Sequence, residues 1–251
     1  MCVDIGYKSA LGPDGLPRYI KGIKIDRSLL AGDIDVAHIP AHARPLCVVV
    51  KTDPAGAPMV DKMNWGLVAD FMVNNPAVFK KYANQLFNAR AEKVLLTGST
   101  WNALINNRCL LVADGIYEHQ KVEGRKNKLP YYIQLRSKDP LLIPGLFNPR
   151  TNSFAIVTRE GNDLFCRIHN SGPNKHRMPL LLKPGDAVSW IHQDLSNEAL
   201  KHLLSFQISS EDLSAHTVYS IRSHHPRPDG RRANEYYNWG SSSMYEQASL
   251  F

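Results

Sequence analysis

Cys2 lies directly behind the initiator methionine, where a cysteine has chemistry open to no internal one. Once Met1 is removed, a single residue carries a free amine and a free thiol. The amine titrates near ~8 and the thiol near ~8.5, so both are partly nucleophilic at neutral pH. The amine condenses with an aldehyde to a Schiff base, and the thiol closes that adduct into a thiazolidine ring. The plain alternative is that Cys2 begins a first strand, its sulfur a small buried hydrophobe.

Three further segments hold residues that move protons or bind anions. Asn88-Ala89-Arg90-Ala91-Glu92 offers an amide with donor and acceptor groups and a guanidinium fork suited to phosphate. In Gly115-Ile116-Tyr117-Glu118-His119 a hydrophobic run ends at a carboxylate. Partial burial would raise its pKa from ~4.3 toward neutrality and make it a proton relay. Thr158 begins a segment reaching Ile168-His169, and Arg177-Met178-Pro179 follows it. As ordinary residues, Asn88 is a turn or cap, Glu118 and Arg90 are ion-pair partners, and His169 is a structural hydrogen-bonding group.

The elements that must position these residues are short strands mixed with a few helices. Strands are expected at Pro45 to Val50, Cys109 to Ala113, Tyr131 to Leu135, Ser153 to Thr158 and Leu164 to Ile168. A helix is expected from Ala77 to Phe87, starting after Pro76. Ser99 caps a second helix carrying Trp101, Leu104 and Ile105, and Ser196 a third carrying Leu200, Leu203 and Leu204. Gly22 to Ala43 and Gly56 to Met63 read as loops. The helices are too few for a regular βαβ succession. The expected fold class is α+β, a single domain with a mixed, curled β-sheet flanked by helices. Residues 1–222 form that domain, and 223–251, rich in Pro, Gly, Arg, Ser and Asn, form a peripheral C-terminal extension.

A chain of 251 residues with a formal charge of +7 favours an acidic partner. No stretch approaches the ~20 apolar residues of a membrane span. The first residues lack the basic and apolar regions of a signal peptide, which points to the cytoplasm. Cys2, Cys47, Cys109 and Cys166 are too sparse and irregular for a disulfide framework or a four-cysteine zinc site. Cys166 and His169 have metal-ligand spacing but no second pair to match.

Taken in order with Met1-Cys2 and Trp65-Gly66-Leu67, these motifs resemble the SOS response-associated peptidase family over roughly residues 1–220. The resemblance implies a barrel-like sheet with the N-terminal cysteine at the floor of a DNA-binding cleft. It further implies that Cys2 traps the opened sugar aldehyde of an abasic site in single-stranded DNA as a thiazolidine crosslink. Asn88, Glu118 and His169 are then its catalytic companions, and Trp65, Arg90, Thr158 and Arg177 the DNA-binding residues. Trp65 would stack on bases beside the lesion, although a core tryptophan at a tight turn fits it equally. His169 would donate a hydrogen bond to the sugar ring oxygen. The implied protein is an autoprocessing, lyase-like enzyme that uses no cofactor or metal, associates with DNA in the cytoplasm, and needs no obligate protein partner. A cysteine peptidase limited to removal of Met1 and a noncovalent single-stranded nucleic-acid-binding module are the alternatives.

Two departures from the family pattern matter. Val3 and Asp4 follow Cys2 where many relatives carry glycine and arginine, and Asp4 cannot supply a cationic phosphate contact. The family histidine normally sits two residues before the arginine of Arg-Met-Pro, a position held here by Lys175. An apparent insertion from Asn170 to His176 intervenes, and the intact upstream register favours His169 over His176.

Overall fold

The computed structural model describes residues 3–7, 15–30, 36–192, 194–222 and 226–240. Cys2, with Met1, lies outside the described residues. In chain order the strands are β1 Asp4–Tyr7, β2 Val36–Pro40, β3 Leu46–Thr52, β4 Pro58–Trp65, β5 Asn88–Arg90 and β6 Arg108–Ala113. They continue as β7 Gly115–Gln120, β8 Leu129–Leu135, β9 Leu141–Asn148, β10 Ser153–Glu160, β11 Arg177–Pro179 and β12 Leu213–Thr217. The helices are α1 Gly15–Tyr19, α2 Arg27–Leu30, α3 Pro76–Tyr82, α4 Ala91–Val94, α5 Asp163–Ile168, α6 Pro184–Ile191 and α7 Asn197–Ser205.

Two sheets carry the domain. One has the order β12-β8-β7-β1-β2, the other β11-β10-β4-β3-β6-β9. β10 pairs in parallel with β4 and β5, while the remaining pairings are antiparallel, so the second sheet is mixed. β10 also pairs with β9, which brings the path from β10 through β4, β3, β6 and β9 back to its start. The expected barrel-like sheet is thus realised as a strongly curled one. Inside the curl, β6 is buried along its whole length, and Val48, Val49 and Val50 of β3 are fully buried. Each such aliphatic side chain contributes about 1.5–3 kcal/mol by leaving water. α6 closes one flank, where the Trp190 indole donates to the Cys109 carbonyl at 3.0 Å.

Several elements depart from the sequence expectation. Leu164 to Ile168, read as a strand, is helix α5, because the Asn162 side chain caps it by accepting from Phe165 N–H. Two expected loops contain structure. β2 pairs with β1, and β4 pairs with the whole of β3 across a turn held by the Asp53 carboxylate. The helix from Ala77 stops at Tyr82, since beyond it Leu86 and Phe87 turn their carbonyls to Leu67 and Ile156 N–H. Ser99 does cap its segment, but only a 3-10 turn at Asn102–Leu104 follows.

β1 runs between β2 and β7 because two glycines let it. Gly6 faces Gly115 in the β1–β7 ladder. A Cβ on Gly6 would lie 2.5 Å from the Ala37 carbonyl oxygen, and one on Gly115 would lie 2.2 Å from the Tyr132 ring. This packing brings β1 against the strand that carries Glu118.

Candidate active site

β10 organises the site by sharing its second half between two short strands. On β5, Asn88 pairs with Ile156 and Arg90 with Thr158. On β11, Pro179 pairs with Thr158 and Arg177 with Glu160. Four of the residues singled out from the sequence, Asn88, Arg90, Thr158 and Arg177, therefore meet at one end of one strand. Asn88 is 4% exposed, and among the described residues neither its amide oxygen nor its amide nitrogen has a hydrogen-bond partner. The Thr158 hydroxyl is likewise buried and unpartnered. A buried polar group left unpaired costs about 1–3 kcal/mol, so this local arrangement is expensive for stability alone.

His169 ends helix α5 and reaches Glu118 on β7. Its Nδ1 lies 3.0 Å from the Arg177 carbonyl and 3.9 Å from Glu118 Oε1. Both side chains are buried, and burial pushes both toward their neutral forms. The Glu118 carboxyl is raised to about 7 and the His169 imidazole lowered to about 4. Near pH 7 the contact is therefore not an ion pair: the imidazole is neutral and the carboxyl exchanges its proton. A carbonyl only accepts, so the bond to Arg177 puts the hydrogen on Nδ1 and makes Nε2 the acceptor nitrogen. In this tautomer Nε2 offers a hydrogen-bond acceptor, whereas a bond to the sugar ring oxygen calls for a donor.

The insertion leaves His169 in place. The chain leaves at Asn170 and returns at His176, whose N–H donates to the His169 carbonyl at 2.7 Å. Asn170 pins the excursion to Lys121 through two hydrogen bonds. His176 stands instead beside Lys175 and Arg177 in a groove that Arg90 also lines.

Other predicted contacts are already occupied. Trp65 has no exposed surface; its indole donates to the Phe87 carbonyl at 3.1 Å and stacks on Phe154. It is a core tryptophan and presents no face to a base. Arg177 is held by Glu92 in a two-pronged ion pair at 2.8 and 3.0 Å, and it also donates to the Thr158 carbonyl. One Arg90 nitrogen donates to Asn174 of the insertion at 3.0 Å.

Sequence reasoning missed one network. Asp4 is buried between His38 at 2.8 Å and the Arg222 guanidinium at 3.1 Å. Burial alone would raise its pKa, but the His38 hydrogen bond and the Arg222 charge outweigh that and hold it below the ordinary carboxylate value. Its signal was the unusual acid beside Cys2, although nothing local pointed to partners 34 and 218 residues away.

The fold and the order of these motifs define a family. A model of the SOS response associated peptidase family matches residues 35–221, and the chain belongs to that family. Over 209 residues the chain is 25% identical to abasic site processing protein YoqW of Bacillus subtilis, covering 80% of this chain and 87% of the relative. It is also 25% identical over 207 residues to abasic site processing protein HMCES of Pongo abelii, covering 68% of this chain and 55% of that protein. A crystal structure of a Bacteroides thetaiotaomicron protein superposes with a TM-score of 0.72 at 22% identity, over 93% of this chain and 97% of the other. Among the described residues no helix is long and apolar enough to cross a membrane.

Proposed function

We propose that this protein processes abasic sites in single-stranded DNA by forming a covalent thiazolidine through Cys2. The observation that carries the reading is the buried Glu118–His169 pair, with Glu118 on the strand that pairs with β1. Ile5 pairs with Ile116 and Gly6 with Gly115, so the same register continued sets Val3 opposite Glu118. Cys2 is one Cα step, ~3.8 Å, from Val3. The names of the relatives support a DNA substrate bearing an abasic site.

The chemistry follows from the two protonation states. An abasic sugar is mostly a closed hemiacetal. His169 Nε2 takes the proton of the anomeric hydroxyl, and the protonated Glu118 carboxyl delivers one to the ring oxygen, which frees the aldehyde. After hydrolysis has removed Met1, the neutral Cys2 amine adds to that carbonyl. The His169 imidazolium returns its proton to the Glu118 carboxylate, the carbinolamine hydroxyl leaves as water with that proton, and the carboxylate then takes back the N–H proton of the iminium. The thiol then adds across the C=N bond, its proton passing to the nitrogen, and the ring closes. The whole condensation releases one water. Asn88, with donor and acceptor both unpaired among the described residues, suits the amine or a sugar oxygen.

Intact-mass analysis after incubation with an abasic oligonucleotide tests this. The expected product is Met1-free protein plus oligonucleotide less one water, stable to denaturation and missing with an undamaged strand. The same adduct from verified Cys2→Ser protein, or from protein that retains Met1, would overturn the mechanism. The rate should decline above about pH 7, where Glu118 loses the proton it donates.

A further inference from the structure

The insertion after His169 builds one wall of a groove of about 780 Å³ that also borders Arg90 and Arg177. A groove of that size holds far more than a single phosphate. Five fixed cations line it, Arg90, Arg159, Lys175, Arg177 and Lys201, against two carboxylates, Glu92 and Glu160. What distinguishes the cations is how each is spent. Arg177 is clamped by Glu92. Arg159 caps the end of α7 through the carbonyls of Ser205 and Phe206. Arg90 gives one nitrogen to Asn174. Lys175, near the end of the insertion, and Lys201, on α7, are exposed and form no ion pair among the described residues.

We infer that this groove is a backbone-binding annex for the DNA strand flanking the reacting sugar, with Lys175 and Lys201 as its phosphate contacts. The inference rests on the proposed action on single-stranded DNA and adds residues to it. Three features favour it. The groove adjoins Arg90 and Arg177, so a strand leaving the site along β10 enters it directly. Its uncommitted positive charge sits on flexible lysines, which take phosphate without demanding a base sequence. And with Trp65 buried and Asp4 in place of a cation near Cys2, strand affinity in this chain must come from elsewhere.

The test is fluorescence anisotropy of the full-length protein with an undamaged single-stranded oligonucleotide across a salt titration. Lys175→Ala/Lys201→Ala is compared with Lys21→Ala/Lys80→Ala, a pair of exposed lysines outside the groove that removes the same net charge. Losing two phosphate contacts should weaken binding about tenfold and flatten the log–log salt dependence by about 1.4. Lys175→Arg/Lys201→Arg should restore both, and the control pair should change neither. Equal losses in groove and control variants, or no loss in either, would overturn the inference. A separate reaction with abasic oligonucleotide keeps the two readings apart. An adduct with unchanged lysine-variant affinity refutes only the groove, whereas selective loss of affinity without any adduct refutes only the crosslink.

Discussion

Glu118→Gln isolates the cost of holding this carboxyl inside the protein. Burial raises its pKa from the ordinary 4.5 to about 7, so the folded chain binds this proton more tightly than the unfolded chain. Below pH 4.5 both states hold it and ionisation contributes nothing. As pH rises from 4.5 the unfolded chain releases it first and stability falls; above about 7 the loss is complete. That interval, at ~1.4 kcal/mol for each pH unit, amounts to about 3 kcal/mol. Glutamine keeps the shape and cannot ionise, so the variant should escape the whole loss. Any packing penalty of the amide is independent of pH and drops out when two pH values are compared. The acid-side losses from burying His169 and His119 neutral occur in both proteins and drop out as well. Urea denaturation at pH 4.5 and pH 8.5, with the N-terminal residue verified by mass, measures the difference directly. The variant should gain about 3 kcal/mol on wild type between those two conditions. A difference that stays flat with pH would mean the carboxyl ionises as it does in water, and the proton-donor role would fall with it.

Gly6→Ala should destabilise by about 1–3 kcal/mol, because the new methyl meets the Ala37 carbonyl oxygen rather than a flexible side chain. Adduct yield should fall with it as β1 shifts along β7; thermal melts and crosslinking assays measure the two effects. Trp65→Phe removes the bond to the Phe87 carbonyl and should cost about 1 kcal/mol while leaving strand affinity unchanged. A selective loss of DNA affinity would mean that the indole reaches a base after all. Glu92→Gln frees Arg177 and removes a negative charge from the groove, so single-stranded DNA should bind several-fold tighter with a steeper salt dependence. Weaker binding in an anisotropy titration would instead make the ion pair a support for the strand track.

The strands that form the core were legible because their apolar runs are continuous. β6 and the middle of β3 are buried on both faces, a pattern that needs no periodicity to be recognised. β4 was not legible, since its buried positions, Val60, Met63 and Trp65, follow no period of two. The segment at Leu164 fell in the range where a short apolar run suits either a strand or a helix, and a single Asn162 cap decided it. The motifs named residues that the fold gathers, Asn88, Arg90, Thr158 and Arg177 at one end of β10 and His169 beside Glu118, whereas the partners each side chain takes were not legible. Arg177 pairs with Glu92 and the Trp65 indole with the Phe87 carbonyl, and such long-range pairings leave no local trace.

The histidine register shows how far sequence spacing reaches. Counting back from Arg177 arrives at Lys175, and only the upstream register pointed to His169. The structure explains why both counts are self-consistent: the hydrogen bond from His176 N–H to the His169 carbonyl brings the chain back to where it left. The loop that intervenes is locally strained. His176 has a left-handed backbone at φ 61°, a conformation that costs a residue with a side chain roughly 1 kcal/mol or more. It repays that cost with Asn174 on Arg90 and Lys175 in the groove. Deleting residues 171–176 would join Asn170 to Arg177 and recreate a histidine two residues before the arginine. The closing hydrogen bond and the strain would disappear together, and the Arg177 carbonyl would still be available to His169 Nδ1. The shortened protein should therefore fold and form adduct at saturating abasic oligonucleotide, while its affinity for single strands falls through loss of Lys175. Single-turnover rates measured across DNA concentrations separate the two effects. A collapse of the maximal rate with affinity intact would show that the loop serves to place His169 and not to hold the strand.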